Sequence, residues 1–174
     1  MGDELTAGLV AAARRGERAA FGALYERHAR FVQAILLARV APDAVPDLVH
    51  DVFLSAMSRL DSLRNDASFA PWLATMARNR AADWRRRRRD TVELDPEHPA
   101  EATPDAHDSR AALAVLATLP EAYRETMLLR FAAGLSGPEI AARTGLTPGS
   151  VRVNLHRGVR MLRERWRAKE SEDA

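Results

Sequence analysis

Five consecutive arginines at 85–89 close a stretch that reads WLATMARNRAADWRRRRRD from Trp72 to Asp90. Guanidinium groups this crowded repel one another, so the run predicts either full solvation or a polyanion partner. Helix-dipole complementarity contributes only ~0.3–1 kcal/mol per cation near a helix C-terminus, too little to justify five. The residues just upstream extend the argument. On a helical wheel Leu73, Met76, Ala77 and Trp84 share one side, suited to packing. Thr75, Arg78, Asn79, Ala82 and Arg86 share the other. That second face suits a nucleic-acid strand, because guanidinium neutralises phosphate and an amide can bond a base edge. Trp72 sits at the border, where its ring can join a core or stack on an unpaired base.

A second constellation lies at 135–166, in LSGPEIAARTGLTPGSVRVNLHRGVRMLRERW. Ser136 and Glu139 have capping-box spacing, with Pro138 in the first turn. Gly145 marks a tight turn, and Thr147 with Pro148 starts another helix. Val151, Leu155, Val159 and Leu162 form the buried stripe of that helix. Ser150, Arg152, Val153, Asn154, His156 and Arg157 avoid it. A short helix, a glycine turn and a second capped helix make a helix-turn-helix plan, which lays the second helix in the major groove. Arg152 and Arg157 suit guanine edges or phosphates, Val153 a thymine methyl, and His156 a base edge or phosphate.

The elements that must hold these residues are helical throughout. In FGALYERHARFVQAIL, Phe21, Leu24, Tyr25, His28, Val32, Ile35 and Leu36 recur at three- and four-residue steps. Two prolines in APDAVP break the pattern, and a second helix follows with Leu48, Val49, Val52, Phe53, Ala56, Met57 and Leu60 inward. DSLRNDAS at 61–68 is polar and loop-like, and the next helix begins near Pro71. Residues 1–89 carry 15 arginines and 10 acidic residues, a net of +5. Residues 90–109 carry seven acidic residues and no Lys or Arg, a net of −7. Residues 110–174 carry 11 basic and seven acidic residues, a net of +4. The acidic segment is proline-bearing and has no apolar period, so it reads as a flexible linker. The expected fold is all-α: a helical domain at 1–89, an acidic linker at 90–109, and a second helical domain at 110–174 that contains the helix-turn-helix. No alternating strand pattern occurs.

Composition excludes several function classes. There is no cysteine, hence no disulfide or thiolate chemistry, which fits a reducing compartment. No run approaches the ~20 apolar residues of a membrane span, and the acidic N-terminus lacks a secretory signal pattern. A cytoplasmic protein is expected, without membrane insertion. The histidines at 28, 50, 98, 107 and 156 are scattered, and no phosphate loop, zinc-binding helix or serine elbow occurs. No catalysis, metal or cofactor is expected.

DLVHDVFLSAMSRL at 47–60, FAPWLATMARNRAADWRRRRR at 69–89, a short acidic linker, and LPEAYRETMLLRFAAGLSGPEIAARTGLTPGSVRVNLHRGVRMLRERW at 119–166 follow in that order and spacing. Together they resemble the extracytoplasmic-function (ECF) sigma factors of bacterial RNA polymerase, over most of the chain from Phe21 to Trp166. The resemblance implies an alternative sigma factor that binds core polymerase, through the β′ clamp and the β flap, and recognises and melts promoter DNA. By position, Asp47, Asp51 and Arg59 would be core-binding candidates. Trp72, Thr75, Arg78, Asn79 and Arg86 would meet the −10 element beside a base-accepting loop at 63–68. Ser150, Arg152, Val153, His156 and Arg157 would read the −35 element. The linker would thread toward the RNA exit path, and an anti-sigma factor would be the usual regulatory partner. Three positions depart from the pattern: Val45-Pro46 before DLV, Arg80 at a commonly apolar position, and Val153-Asn154 in the recognition helix. Two rival readings remain. One is a free-standing helix-turn-helix regulator of duplex DNA, which leaves residues 21–89 without a role. The other is a sigma mimic that binds an anti-sigma factor and needs no arginine run.

Overall fold

The computed structural model describes the backbone of residues 2–91 and 105–172 and the side chains of 4–89 and 111–168. Eight helices appear among them: α1 Gly2–Arg14, α2 Arg18–Leu37, α3 Val45–Ser58, α4 Phe69–Thr91, α5 Asp105–Ala117, α6 Glu121–Phe131, α7 Gly137–Thr144 and α8 Pro148–Glu172. No strand occurs among the described residues. The linker expectation is corrected at both ends: residues 90 and 91 close α4, and residues 105–109 open α5. The remainder of that expectation, 92–104, lies outside the described residues.

In the first unit α2, α3 and α4 pack on one another and α1 lies across α2. The period-3.6 stripes of the sequence become its core: Leu24, Phe31, Val32, Ile35 and Leu36 from α2, Val52 and Phe53 from α3, and Phe69, Leu73, Ala74, Ala77 and Ala81 from α4. Alanines along the buried side of α4 let neighbouring backbones approach closely. Two short 3-10 turns, Leu60–Ser62 and Asp66–Ser68, shape the loop between α3 and α4. Arg14 holds that loop against α1. Its guanidinium donates to the carbonyls of Leu60 and Leu63 and pairs with Asp66 at 2.5 Å.

In the second unit α6 packs on α8 and α7 packs on both. Gly158 permits the α6–α8 approach, since a Cβ there would lie 2.6 Å from Met127 Sδ. Ser136 and Glu139 form the expected capping box, and Gly145 closes α7 with φ +77°. The two units also dock on each other, through α2 with α6 and α4 with α7. Leu128, Leu129, Leu135 and Ile140 therefore join the same buried cluster as Phe31, Ile35 and Leu36.

Two placements read from the stripes are corrected. The stripe puts Met57 inward on α3, but it is 57% exposed, and Tyr25 on α2 is 40% exposed, though its ring lies 4.6 Å from that of Phe53. Both stand at the borders of their stripes, where a helical wheel leaves a residue between core and solvent.

Candidate nucleic-acid and partner interfaces

The wheel of α4 holds for most positions. Leu73 and Ala77 are buried, Met76 and Trp84 partly so, and Thr75, Asn79 and Arg86 are exposed. The Thr75 hydroxyl donates to the Pro71 carbonyl at 3.0 Å, and Arg86 pairs with Asp83. Trp72 is half-buried, packed on the core with its ring centroid 5.9 Å from that of Phe69. Arg78 is not open. It pairs with Glu125 of α6 at 2.6 Å.

The arginine run is less bare than its crowding predicts. Arg85 pairs with Glu121 at 3.2 Å, and Arg88 lies over the Trp84 ring, 5.2 Å from its centroid. Arg86, Arg87, Arg88 and Arg89 are exposed.

In the helix-turn-helix, Ser150, Arg152, Val153, His156 and Arg157 are all exposed, so the first three turns of α8 present them together. The Thr147 hydroxyl accepts the Ser150 N–H at 3.1 Å and starts the helix. Arg157 donates to the Tyr123 hydroxyl at 3.5 Å. Asn154 is corrected. It is half-buried and donates to the Thr126 hydroxyl at 3.3 Å, so it braces α8 on α6 rather than facing outward. The stripe is also shallower than expected, since Val151 is buried while Leu155, Val159 and Leu162 are only partly so.

On α3, Asp47 and Arg59 are exposed as expected. Asp51 is partly covered, and its carboxylate pairs with Arg80 of α4. Arg80, one of the three departures noted above, thereby has a carboxylate partner on α3. Between these charges Leu54 and Met57 stand 51% and 57% exposed.

The Sigma-70 region 2 family matches residues 24–91, and the Sigma-70, region 4 family matches residues 109–162. The first match runs from within α2 to the end of α4, and the second from within α5 through the first half of α8. The RNA polymerase sigma factor CarQ of Myxococcus xanthus is 36% identical, over 87% of this chain and 91% of its own. The chain is an ECF sigma factor of the sigma-70 family. The ECF sigma-E factor of Escherichia coli strain K12 is 28% identical over 86% of this chain and 87% of its own. Among solved structures, CnrH, determined in complex with the cytosolic domain of CnrY, superposes with a TM-score of 0.68 at 30% identity. It covers 94% of this chain and 98% of its own. The sigma factor RpoE of Bartonella quintana, determined with the anti-sigma factor NepR, shares the fold with a TM-score of 0.61 at 24% identity. It covers 84% of this chain and 96% of its own. The protein is thus an alternative sigma factor that acts with RNA polymerase in transcription initiation.

Among the described residues of this sigma factor no helix is long and apolar enough to cross a membrane. Sequence reasoning missed Leu54 and Met57 as an exposed apolar pair, because the stripe of α3 assigns Met57 inward. It also missed Arg39, Glu121 and Glu125, whose significance emerges only when the units meet. Arg39 follows α2, and its side chain is 7% exposed. It pairs with Glu125 and, at 3.0 Å, with Glu121. Arg124 lies beside the group. Burial lowers its pKa, the Glu121 carboxylate raises it, and Arg39 and Arg85 lower it.

Proposed function

We propose that this sigma factor docks on the polymerase β′ clamp through the solvent face of α3, opens the −10 element with α4, and reads the −35 element with α8. The observation that carries the reading is that one chain presents two basic, helix-borne surfaces on two units that match different sigma regions. On α3, Asp47, Asp51 and Arg59 rim the exposed Leu54 and Met57. An apolar centre with a charged rim is the make-up of a protein-binding patch.

On α4, Thr75, Asn79 and Arg86 are open to a strand, Arg78 stands beside them, and Trp72 borders the loop at 63–68. That loop would take a displaced base, and Trp72 would stack on its neighbour. On α8, Arg152 and Arg157 would bond guanine edges or phosphates, Val153 would contact a thymine methyl, and Ser150 and His156 would complete the reading. The second unit would also meet the β flap. The protein works in the cytoplasm, where the polymerase is, and an anti-sigma factor is its expected regulator.

Reconstituted run-off transcription on genomic fragments tests the reading. Adding the sigma factor to core polymerase should yield discrete, promoter-dependent transcripts. Absence of both transcripts and association with core would overturn it.

A further inference from the structure

We propose that Arg160, Arg163 and Arg167, on the second half of α8, form a binding site for the phosphodiester backbone of duplex DNA just outside the −35 element. The site is separate from the residues that read bases and lengthens the contact along the same helix. The inference rests on the reading that α8 lies in the major groove at −35, and it adds a sequence-independent clamp to that reading.

Helix α8 is 25 residues long, and its reading residues fill only the first three turns. Arg152, His156, Arg160, Arg163 and Arg167 follow at steps of four, four, three and four residues, so they form one stripe along the helix. All five are exposed. A groove of about 640 Å³ joins the two halves of the stripe, lined by the half-buried Leu155 and Val159 together with His156, Arg160, Arg163 and Arg167. One reading residue and three arginines thus share a concavity. The opposite face of the helix packs: Val151 and Gly158 are buried, and Arg165 donates to the Thr118 carbonyl. The arginines of this segment are therefore sorted by face, Arg165 bracing the unit and the other three turned to solvent. The region 4 family match ends at residue 162, so Arg163 and Arg167 lie past the stretch that the likeness covers.

A rise of ~1.5 Å per residue puts Arg160 about 6 Å and Arg167 about 16 Å beyond His156 along the axis. The major groove is ~12 Å wide. A helix that brings His156 to a base edge therefore carries Arg163 and Arg167 past the bases, to the phosphates that wall the groove. There a guanidinium fork fits phosphate oxygens. Duplex DNA carries one charge per ~1.7 Å of axis, so arginines spread over about 10 Å each find a phosphate. Glu164 also lines the groove and pairs with Arg160 at 3.8 Å, with the two side chains 66% and 65% exposed. So exposed a pair contributes little, and phosphate displaces it readily. An acidic protein surface would answer the same charges, but the groove shared with His156 aligns the stripe with the duplex that His156 faces.

The test uses the full chain and fluorescent 40-base-pair duplexes, one of mixed sequence and one from a promoter recovered by run-off transcription. Replacing Arg160, Arg163 and Arg167 together by Gln should weaken binding to both on the order of tenfold at about 0.1 M salt. It should also lower the salt slope by about two to three units, with the preference between the two duplexes unchanged. Glu164→Gln should act in the opposite direction, tightening both by about two- to fivefold, which keeps the test decisive if the triple variant folds poorly. Hydroxyl-radical footprints of the promoter duplex should lose protection beside the −35 element in the triple variant and keep it within the element. A salt slope within half a unit of wild type in the folded triple variant, or Glu164→Gln affinity equal to wild type, overturns the proposal. Unchanged duplex binding with weakened association to core polymerase also overturns it, and assigns the stripe to a protein. Arg152→Ala separates the two failures. If it relaxes −35 preference while the triple variant keeps its slope, only this inference falls. If the triple variant loses slope while no −35 variant is distinguished, only the reading assigned to the first turns falls.

Discussion

His28 shows how one residue can look ordinary in a stripe and behave unusually once buried. It is 2% exposed, its ring centroid lies 5.2 Å from that of Phe69, and neither ring nitrogen has a hydrogen-bond partner among the described residues. Burial first, then the charges of Arg143 and Arg27, push its pKa from 6.5 down to about 4. The unfolded chain therefore binds more protons between those two values, so this contribution to stability is intact above pH 6.5 and is lost as pH falls toward 4. The loss is on the order of 3 kcal/mol. Replacing His28 by Leu should flatten that part of the pH profile and, by removing two orphaned polar atoms, stabilise the fold by about 1–3 kcal/mol at neutral pH. Denaturant titrations across pH measure both. At the same scale, Arg152→Ala should cost about 1–3 kcal/mol of −35 binding and relax sequence preference there. Competition binding with −35 variants checks this, and equal binding of every variant before and after the change would remove α8 as the reading helix. Both positions are visible in the sequence, Arg152 by its outward register and His28 by its inward one. The orphaned nitrogens are not, because they depend on the Phe31 and Phe69 rings that pack beside the imidazole in the folded core.

Helices α6 and α8 illustrate what a helix wheel can and cannot carry. The capping box at Ser136 and the left-handed Gly145 follow from residues adjacent in the chain, so sequence suffices for them. Gly158 is different. It looks like a weak point inside a long helix, yet α6 packs directly against it through Met127 and Tyr123. Met127 is itself buried, so its side chain has little room to move. Gly158→Leu should force α6 away from α8 at a cost of about 1–3 kcal/mol, seen as a lowered denaturation midpoint. Asn154 belongs to the same helix pairing, and its hydrogen bond to Thr126 explains why it does not face outward. The residue therefore supports the reading helix without joining the surface that reads.

Across the whole molecule, basic residues are divided between solvent and the seam. Arg85 is held by Glu121 and Arg88 by Trp84, while Arg86, Arg87 and Arg89 are exposed beyond them. If the run lies along promoter backbone, replacing all five arginines at 85–89 by alanine should weaken open-complex formation. It should also flatten the salt dependence, by about one unit of slope for each phosphate no longer neutralised. Open-complex lifetimes over a salt series provide the measurement, and an unchanged slope would show that the run does not meet DNA in that complex. The docked arrangement also bears on what such a measurement reads, because salt weakens the ion pairs of the seam along with those to phosphate.

Local order settled much of this protein before any packing was considered. Apolar period placed the helices, the capping box and glycine turn defined the helix-turn-helix, and the order of motifs carried the family. Each depends on residues near one another in the chain, where steric and hydrogen-bonding preferences act directly. Tertiary structure alone decided that α6 lies on α2 and that α7 lies on α4, and with it the fate of Arg39, Arg78, Arg85, Glu121 and Glu125. Arg78 and Glu125 are 47 residues apart in the chain. Nothing in the period of either helix indicates the other, because a long-range ion pair is fixed by how whole faces pack and by which charges that packing removes from water.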